Sequence, residues 1–415
     1  MHVSHLQLTD FRNYRTADVA LQRGANLFVG RNGQGKTNLV EAVGYLATVG
    51  SHRVSTDQAL IRSGCESAVI RARLAHDQRD LLVEVQINRT GANRAQVNRA
   101  SIKPRELPRY AASVLFAPED LALVRGEPST RRRFIDGLLM QRTPRLAGVL
   151  SDYDRVLRQR NALLKSARAS GLKNETLPTL EVWNDRLVEL GAEIMRERIA
   201  LVDALGPRVR AAYQAVAGTD QEPALAVVLS VLADDPDSDD ADGPACPVGD
   251  VSSSIDNLRA MFRAGLERVR RAERDRGVTL CGPHRDDVLF TLNGLPAKGY
   301  ASHGESWSFA LSLRLASADL LRAESLLGDP VVILDDVFAE LDSGRRARLA
   351  EAVLDYEQVL ITAAVYEDVP KELTAHTVRV DAGTIVDEAT VAEAGADTEA
   401  AVATTAADEE ADADD

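Results

Sequence analysis

The sequence predicts an α/β protein in which a core sheet of buried strands, accompanied by an antiparallel β element, is interrupted by an inserted helical domain. Apolar runs typical of buried strands lie at both ends of the folded region, at residues 25–29 and 331–334. Residues 67–103 contain three further strand candidates separated by polar turns, which favours an antiparallel element. Between these parts, apolar residues recur at helical spacing from residue 146 to residue 269.

A glycine-rich segment directly follows the first buried strand and precedes a helical pattern. Its residues are Gly30, Arg31, Asn32, Gly33, Gln34, Gly35, Lys36 and Thr37. They match G-x-x-x-x-G-K-[ST], the pattern of a loop whose backbone N–H groups surround phosphate oxygens at a helix N-terminus. Lys36 would contact the β- and γ-phosphates, and Thr37 would hold Mg²⁺. A chance glycine-rich turn is the alternative, but eight matched positions between strand and helix favour a nucleoside triphosphate site such as that for ATP.

A second segment supplies carboxylates for the same chemistry. Residues 331–334 form a fully apolar strand that ends in Asp335 and Asp336. In hydrolases with this loop the first carboxylate orients Mg²⁺, and a neighbouring one polarises the attacking water. Asp335 is therefore the candidate for Mg²⁺, and Asp336 is the candidate catalytic base. Apolar strands that end in Asp are common, so the pairing with the glycine-rich loop carries this interpretation.

Charge is distributed very unevenly along the 415 residues, which have a formal net charge of −14. Residues 387–415 carry eleven acidic side chains and no basic one, and residues 234–242 carry six Asp. Removing these eleven and six negative charges from −14 leaves a net charge of +3. Both acidic segments are expected to be disordered, and the remaining body is mildly basic.

Neither membrane insertion nor a disulfide framework is indicated. No run approaches 18 apolar residues, and the N-terminus lacks a signal-peptide pattern. The three cysteines are isolated from one another and from zinc-type histidine spacing, which fits a reducing cytoplasm. We therefore expect a cytoplasmic protein without a membrane partner.

Just before a predicted long helix over residues 306–327 lies Ser302-His303-Gly304-Glu305. Such a turn presents a hydroxyl and backbone N–H groups to an anion, although an ordinary helix cap has the same composition. Together with the loop, the Asp335-Asp336 strand and the following Asp342, it resembles the ABC-type ATPase head. In that head the Ser-x-Gly turn of one subunit closes on the nucleotide of another, which implies roles for Ser302, Gly304 and Asp342.

Further segments resemble the RecF family of DNA repair ATPases. They are residues 8–14 (LTDFRNY), 118–119 (PE), 126–136 (GEPSTRRRFID), 282–287 (GPHRDD) and 334–342 (LDDVFAELD). The resemblance spans about residues 3–380 in the expected order. It implies an ABC-type head with a helical arm, nucleotide contacts by Arg12 and Asn38, an ATP-dependent homodimer and slow hydrolysis. It also implies single- and double-stranded DNA at gap junctions, RecR and RecO proteins as partners, and a link to the SOS response.

Some residues depart from that family pattern. Glu127 replaces a small residue, and Glu305 and Trp307 stand where Gln and a basic residue are common. A carboxylate facing a γ-phosphate would be repulsive, so Glu305 bears on the strength of ATP-driven closure. No His follows Ile361-Thr362, where transporter-type heads carry one near the γ-phosphate.

These observations give the predicted domain organisation. The ATPase head comprises residues 1–117 and 278–386, and a helical arm of residues 118–277 is inserted between them. The arm contains the acidic insertion near 234–242, and the disordered tail covers 387–415.

Nucleic-acid binding has the least support from motifs, and arginine-rich stretches of the predicted arm are where it is expected. The candidates for DNA contacts are Arg131, Arg132, Arg133, Arg270 and Arg271. The usual reading of such residues is a solvated helix face with ion pairs. Because aromatics make up only 4% of the chain, base stacking is disfavoured and contacts to the DNA backbone are expected.

Three other readings share part of this chemistry. A transporter ATPase would place its Ser-x-Gly turn about a hundred residues after the loop, whereas 265 residues separate Thr37 from Ser302. A chromosome-organising ATPase needs a coiled coil of hundreds of residues, which this insertion cannot supply. A nucleotide-gated scaffold without a DNA role stays open, although Asp336 favours turnover.

Overall fold

The structure, a computed structural model, describes residues 1–76, 79–169, 178–218, 220–233, 254–325 and 328–386. The acidic insertion and the acidic tail predicted from the sequence lie outside the described residues. Contacts divide the chain into two compact units. The first unit combines Met1–Pro104 with the described part of Pro330–Asp415, and the second is Arg105–Asp329.

In chain order, the described residues form β1 (His2–Phe11), β2 (Tyr14–Ala20), β3 (Gly24–Val29), α1 (Lys36–Thr48), β4 (Ser67–His76), β5 (Arg79–Asn88), β6 (Arg94–Val97), β7 (Ala100–Ile102), β8 (Ser113–Phe116), α2 (Leu121–Arg125), α3 (Pro128–Arg142), α4 (Leu146–Ala169), α5 (Pro178–Ala217), β9 (Pro223–Val228), α6 (Ile255–Arg276), β10 (Asp287–Leu292), β11 (Leu295–Pro296), α7 (Ala297–Tyr300), α8 (His303–Glu324), β12 (Val331–Asp335), α9 (Ser343–Val353), β13 (Gln358–Ala363), β14 (His376–Asp381) and β15 (Thr384–Val386).

One sheet of the first unit is antiparallel and has the strand order β2-β1-β4-β5-β6-β7. The alternation of small or apolar residues in β4 and β5 directs one face into the core, as the sequence pattern predicts. The sequence predicted one strand over residues 96–103, and this is wrong. Asn98 and Arg99 adopt left-handed backbone with φ of 49° and 67°, which turns the chain between β6 and β7.

The strands that lead to the glycine-rich loop and the carboxylates belong to a second sheet of this unit. Five of its strands follow the order β15-β14-β3-β13-β12, with parallel pairing from β14 to β12. Every residue of β12 and β13 is buried, which explains their uninterrupted apolar sequence. Because parallel strands end at the same edge, the chain segments after β3 and β12 emerge close together.

The second unit is mainly helical. Helices α4, α5 and α6 pack against one another, and α8 packs against α5. Ser254 caps α6 by accepting a hydrogen bond from the backbone N–H of Asn257, and Gly277 ends that helix in left-handed backbone. Inside the helices, Arg160 and Glu273 form a buried ion pair with 2.5 Å between Nη2 and Oε2. Helices α4 and α5 are the helical hairpin predicted from the sequence, and α6 is the predicted third helix, so both predictions are confirmed.

The fold class predicted from the sequence is confirmed: an α/β chain with a core sheet, an antiparallel β element and an inserted run of helices. Residues 278–329 belong to the helical compact unit, whereas the division predicted from the sequence assigns them to the ATPase head. The predicted division describes functional parts rather than compact units, and it stays a prediction. Among the described helices, none is both long and apolar enough to cross a membrane.

Candidate functional site

The glycine-rich loop connects β3 to α1, and two of its glycines are required by their surroundings. A Cβ atom on Gly30 would lie 2.2 Å from the carbonyl oxygen of Val380 on neighbouring β14. Gly35 has φ of 118°, and a Cβ there would lie 2.7 Å from both the Asn13 amide nitrogen and the Tyr14 hydroxyl. A side chain at either position would therefore displace backbone or buried atoms.

Lys36 points back into the loop. It is 3% exposed, and its Nζ donates to the carbonyl oxygens of Gly30 at 2.6 Å and Arg31 at 3.2 Å. Burial lowers the pKa of Lys36, while the nearby carboxylates of Asp336 and Asp335 act in the opposite direction. The ammonium group is thus held at the loop and close to both carboxylates that the sequence singled out.

Asp335 accepts two hydroxyl hydrogen bonds at the end of β12. Its Oδ1 receives Thr37 Oγ1 at 2.8 Å and Thr362 Oγ1 at 2.6 Å. Thr362 is the register partner of Asp335 on β13, so the sheet itself sets this contact. Burial alone would raise the pKa of Asp335, but His52 and the two hydroxyls favour the carboxylate and bring its pKa below the usual range.

His52 is a site residue that sequence reasoning missed. It follows α1, and its Nε2 lies 3.7 Å from Asp335 Oδ2, beyond hydrogen-bond distance. That nitrogen is buried and makes no hydrogen bond within the part of the chain that the structure describes. A single histidine after a helix carries no motif, so only the three-dimensional arrangement identifies it.

Asp336 has an unusual backbone. Its φ of 51° is left-handed, and its N–H donates to Thr362 Oγ1 at 2.9 Å. Thr362 therefore joins both carboxylate residues, because it accepts from Asp336 and donates to Asp335. Non-glycine residues in this conformation cluster at functional sites.

The oxygen atoms around Asp335 fit a hard divalent cation. The Thr37 hydroxyl and an Asp335 carboxylate oxygen are adjacent, and both are ligand types that Mg²⁺ prefers. Among the described residues, no group of three or more His, Cys, Asp or Glu forms a self-sufficient metal site. Thr37 and Asp335 would hold Mg²⁺ together with phosphate and water oxygens, because the protein supplies only two oxygen ligands here. His52 Nε2, which is buried and lies 3.7 Å from Asp335 Oδ2, is one more polar group beside such a shell.

Arg12 and Asn38, which the family resemblance assigned to the nucleotide, are held by protein groups beside the loop. Arg12 forms a bidentate pair with buried Glu41, with nitrogen–oxygen distances of 2.8 and 2.6 Å. The Asn38 side chain donates to Asn13 at 2.7 Å and accepts from Arg53 at 2.9 Å. Their contact with a nucleotide stays a prediction.

The Ser-x-Gly turn lies in the second unit and begins α8. The Ser302 hydroxyl oxygen accepts from the Glu305 N–H at 3.3 Å, and the Glu305 carboxylate accepts from the Ser302 N–H at 2.7 Å. This reciprocal pair is a capping box. Ser302 and His303 are exposed, and Gly304 forms part of the first helical turn. In the first unit, Asp342 caps α9 through the Arg345 N–H at 2.9 Å.

Three of the candidate DNA-binding arginines are occupied by protein partners. Arg131 is 5% exposed and forms a bidentate pair with Asp287 at 2.8 Å for both bonds. Arg132 donates to the Asp286 carbonyl oxygen at 2.6 Å, and Arg270 pairs with Glu181 and Glu267. Arg133 and Arg271 are exposed, and neither forms a hydrogen bond or ion pair with another of the described residues.

Comparison with known proteins identifies a family. Residues 2–383 match the model of the RecF/RecN/SMC N-terminal domain. A DNA replication and repair protein RecF of Clavibacter michiganensis subsp. michiganensis is 66% identical over 388 residues, 93% of this chain and 96% of that protein. RecF of Leifsonia xyli subsp. xyli is 64% identical over 387 residues, 93% of this chain and 100% of that protein.

Solved structures agree on the fold. A structure of the recombination mediator protein RecF with ATPrS in the RecFOR pathway superposes with a TM-score of 0.81. It covers 92% of this chain and 97% of the other, at 24% identity, and therefore bears on the fold alone. The ATP form of that mediator gives the same TM-score.

Proposed function

This chain belongs to the RecF family, and on that premise we propose that it is an ATP-dependent DNA-binding protein of recombinational repair and replication restart. The observation that carries the proposal is the joint placement of Lys36, Thr37 and Asp335. At one edge of the sheet, Lys36 donates to carbonyl oxygens of the loop, and the hydroxyl of the next residue, Thr37, donates to the strand-end carboxylate of Asp335. This is the arrangement that binding a nucleoside triphosphate with a divalent cation requires.

Each residue then has a defined task toward ATP. The loop N–H groups and Lys36 would bind the phosphates, and Thr37 with Asp335 would hold Mg²⁺, which would supply neutralisation of phosphate charge. Asp336 orients and deprotonates the attacking water, with its backbone fixed by Thr362. His52 and Thr362 keep Asp335 ionised, because they offset the effect of its burial.

The working site is shared between two copies of the chain. Ser302 is exposed at the start of α8 and offers a hydroxyl and a helix N-terminus to an anion. In the proposed head-to-tail homodimer this turn binds the γ-phosphate of ATP held by the loop of the other copy. Association then follows ATP binding, and slow hydrolysis releases it.

In this proposal, DNA affinity rises when ATP brings two copies of the chain together. The mildly basic body, once the acidic segments are set aside, supports contacts to phosphates of double- and single-stranded DNA at gap junctions. RecR and RecO are the proposed protein partners in loading a recombinase, and the activity is proposed to feed the SOS response in the cytoplasm. A RecF of similar fold is a recombination mediator of the RecFOR pathway, which supports this assignment.

The alternatives are a nucleotide-gated scaffold without a DNA role and another ABC-type ATPase subunit. The proposed function differs from both because it requires that nucleotide changes the affinity for DNA. Fluorescence anisotropy with a gapped duplex, measured with ATP, with ADP and without nucleotide, tests this directly. We expect ATP to raise DNA affinity at least about fivefold, the lower end of ordinary coupling between sites.

Matched lysine variants give the control. Lys36→Met should abolish the ATP effect, whereas Lys371→Met, an exposed lysine of the same unit, should retain it. DNA affinity that is unchanged by ATP in the wild-type protein would favour the scaffold.

A further inference from the structure

Glu305 makes one contact that a capping box does not need. Its Oε2 accepts from the Ser302 N–H, while its Oε1 accepts from Gln221 Nε2 at 2.5 Å. Gln221 lies between α5 and β9, and its own Oε1 accepts from the Tyr213 hydroxyl at 2.6 Å. Tyr213 is fully buried on α5. A continuous chain of three hydrogen bonds thus joins the core of the helical unit to the Ser302 turn.

The Ser302 backbone and hydroxyl are fixed by this arrangement. Its N–H is bound to Glu305, and its carbonyl oxygen accepts from both the N–H and the hydroxyl of Ser306, at 2.9 and 2.8 Å. Its hydroxyl oxygen accepts from the Glu305 N–H, so the hydroxyl proton remains to be donated elsewhere. The exposed position directs that proton toward solvent or toward an incoming anion.

The same contacts resolve the charge problem that Glu305 posed in the sequence. Hydrogen bonds from the Ser302 turn and Gln221 lower the pKa of Glu305, so the carboxylate is ionised. Each oxygen of the Glu305 carboxylate accepts a hydrogen bond from an N–H group of the same chain, one from Ser302 and one from Gln221. The negative charge is therefore partly neutralised by these donors. A carboxylate held in this way supports the helix N-terminus rather than opposing a phosphate in front of it.

We propose that Glu305 is a positioning residue that holds the Ser302 turn ready for the γ-phosphate bound by a second copy, and that Gln221, held by Tyr213, keeps Glu305 in place. The inference rests on the proposed shared site. It differs from simple helix capping because Gln221 contributes nothing to the capping box. Removing Gln221 leaves both reciprocal hydrogen bonds possible but frees the carboxylate to rotate.

The test compares ATP-driven dimerisation among variants of the full chain, measured as the dimer dissociation constant by analytical ultracentrifugation at saturating ATP. We expect Gln221→Ala and Glu305→Ala to raise that constant about tenfold, because each dimer loses a fixing hydrogen bond at two turns. Glu305→Gln should stay within about threefold of wild type. Its amide oxygen still accepts from the Ser302 N–H, and its amide N–H can donate to Gln221 Oε1 once the Gln221 amide turns over, with the Tyr213 hydroxyl then accepting from Gln221. Binding of a fluorescent ATP analogue at dilutions that prevent association should be unchanged in all three, since the loop lies in the other unit.

Ser254→Ala is the matched control for helix stability. Ser254 caps α6, a helix of 22 residues like α8, but takes no part in the hydrogen bonds that join Tyr213, Gln221, Glu305 and Ser302. It should lower the melting temperature about as much as Glu305→Ala does and leave dimerisation unchanged.

Two outcomes overturn the inference. If Gln221→Ala and Glu305→Ala dimerise within twofold of wild type while Ser302→Arg fails to, Glu305 only caps the helix. If wild type itself binds ATP without associating, the shared site fails and the inference with it, and Ser302→Arg would then have no effect either.

Discussion

At the scale of single residues, Thr362 organises the chemistry of the candidate site. Its hydroxyl donates to the Asp335 carboxylate and accepts from the Asp336 N–H, so one side chain fixes both carboxylate residues. Transporter-type heads have a histidine near the γ-phosphate just after this position. Because this chain has none there, the sequence indicated no side chain beside the two carboxylates. The structure provides two groups near the carboxylates, Thr362 on β13 and His52 after α1.

Substitution of Thr362 should therefore affect stability as well as catalysis. Thr362→Val keeps the shape but leaves the partly buried Asp336 N–H without its acceptor, which costs about 1–3 kcal/mol in the free energy of unfolding. Thr362→Ser keeps the hydroxyl and should recover most of that loss. Chemical denaturation of the three proteins checks this, and equal losses for Val and Ser would contradict the role of the hydroxyl.

The two carboxylates should separate binding from hydrolysis. Asp335→Asn removes a charge from the proposed Mg²⁺ site and should weaken Mg²⁺-dependent ATP binding. Asp336→Asn should bind ATP normally but hydrolyse it about 10²–10⁴-fold more slowly, the usual contribution of a general base. Equilibrium binding and single-turnover hydrolysis measure the two effects separately. Wild-type turnover by Asp336→Asn would exclude Asp336 as the base.

Sequence reasoning found those residues that a motif defines and missed those that only the sheet brings together. Lys36, Thr37 and Asp335 were identified because loop and strand end have fixed spacings. The structure joins Thr37 to Asp335 by a hydrogen bond and holds Lys36 Nζ at the loop carbonyl oxygens. Thr362 and His52 come from elements about 27 residues after and 283 residues before Asp335, where no spacing rule applies. Their place depends on the strand order β3-β13-β12 and on the path after α1.

At the scale of elements, the segment from Gly282 to Asp287 acts as a buried connector of the helical unit. His284 Nδ1 lies 2.9 Å from the Tyr153 hydroxyl, and its Nε2 lies 3.3 Å from the Thr279 carbonyl oxygen. Because a carbonyl oxygen only accepts, Nε2 carries the proton and Tyr153 donates to Nδ1. The imidazole is neutral, and burial lowers the pKa of His284 to about 4.

A pH dependence of stability follows from this shift. The pKa of unfolded histidine is about 6.5, so on acidification the unfolded chain takes up the proton before folded His284 does. Stability from His284 is therefore complete above about pH 6.5 and is lost as the pH falls toward 4. Denaturation at pH 7.5 and at pH 5 measures this loss. Between these two pH values the free energy of unfolding of the wild-type protein should fall by about 2 kcal/mol more than that of His284→Gln. The same pH response in the variant would assign the effect to other groups.

In the helical unit, burial decides which of the candidate arginines are exposed to solvent. Arg131 and Arg132 were chosen from a run of three, but helical geometry turns successive residues to different faces, and only Arg133 is exposed. Sequence alone could not distinguish them, because burial depends on Asp286 and Asp287 more than 150 residues away.

Arg133→Ala should lower DNA affinity for all sequences about equally and reduce the slope of log affinity against log salt by about one. Arg99→Ala, an exposed arginine in the turn between β6 and β7, is the control and should leave the slope unchanged. Anisotropy titrations at several salt concentrations give both slopes. Identical slopes for wild type and Arg133→Ala would remove Arg133 from the DNA surface.

At the scale of the whole molecule, the ATP loop and the Ser302 turn belong to different compact units of one chain. The account's central claim is that ATP joins the loop of one copy to the turn of another. A single labelling experiment addresses it. One chain carries a tag, Lys36→Met and Ser302→Cys, so that it offers a thiol at the turn but cannot hold ATP itself.

This tagged chain is mixed with an untagged wild-type chain and an ATP analogue whose γ-phosphate bears a thiol-reactive group. We predict label on the tagged chain only when the wild-type chain is present, and none when Lys36→Met replaces it as the partner. A tagged chain with Ser302 intact measures background from the native cysteines. The contradicting result is a tagged chain that stays unlabelled in the mixture, while Ser302→Cys with its own Lys36 intact is labelled at dilutions that prevent association.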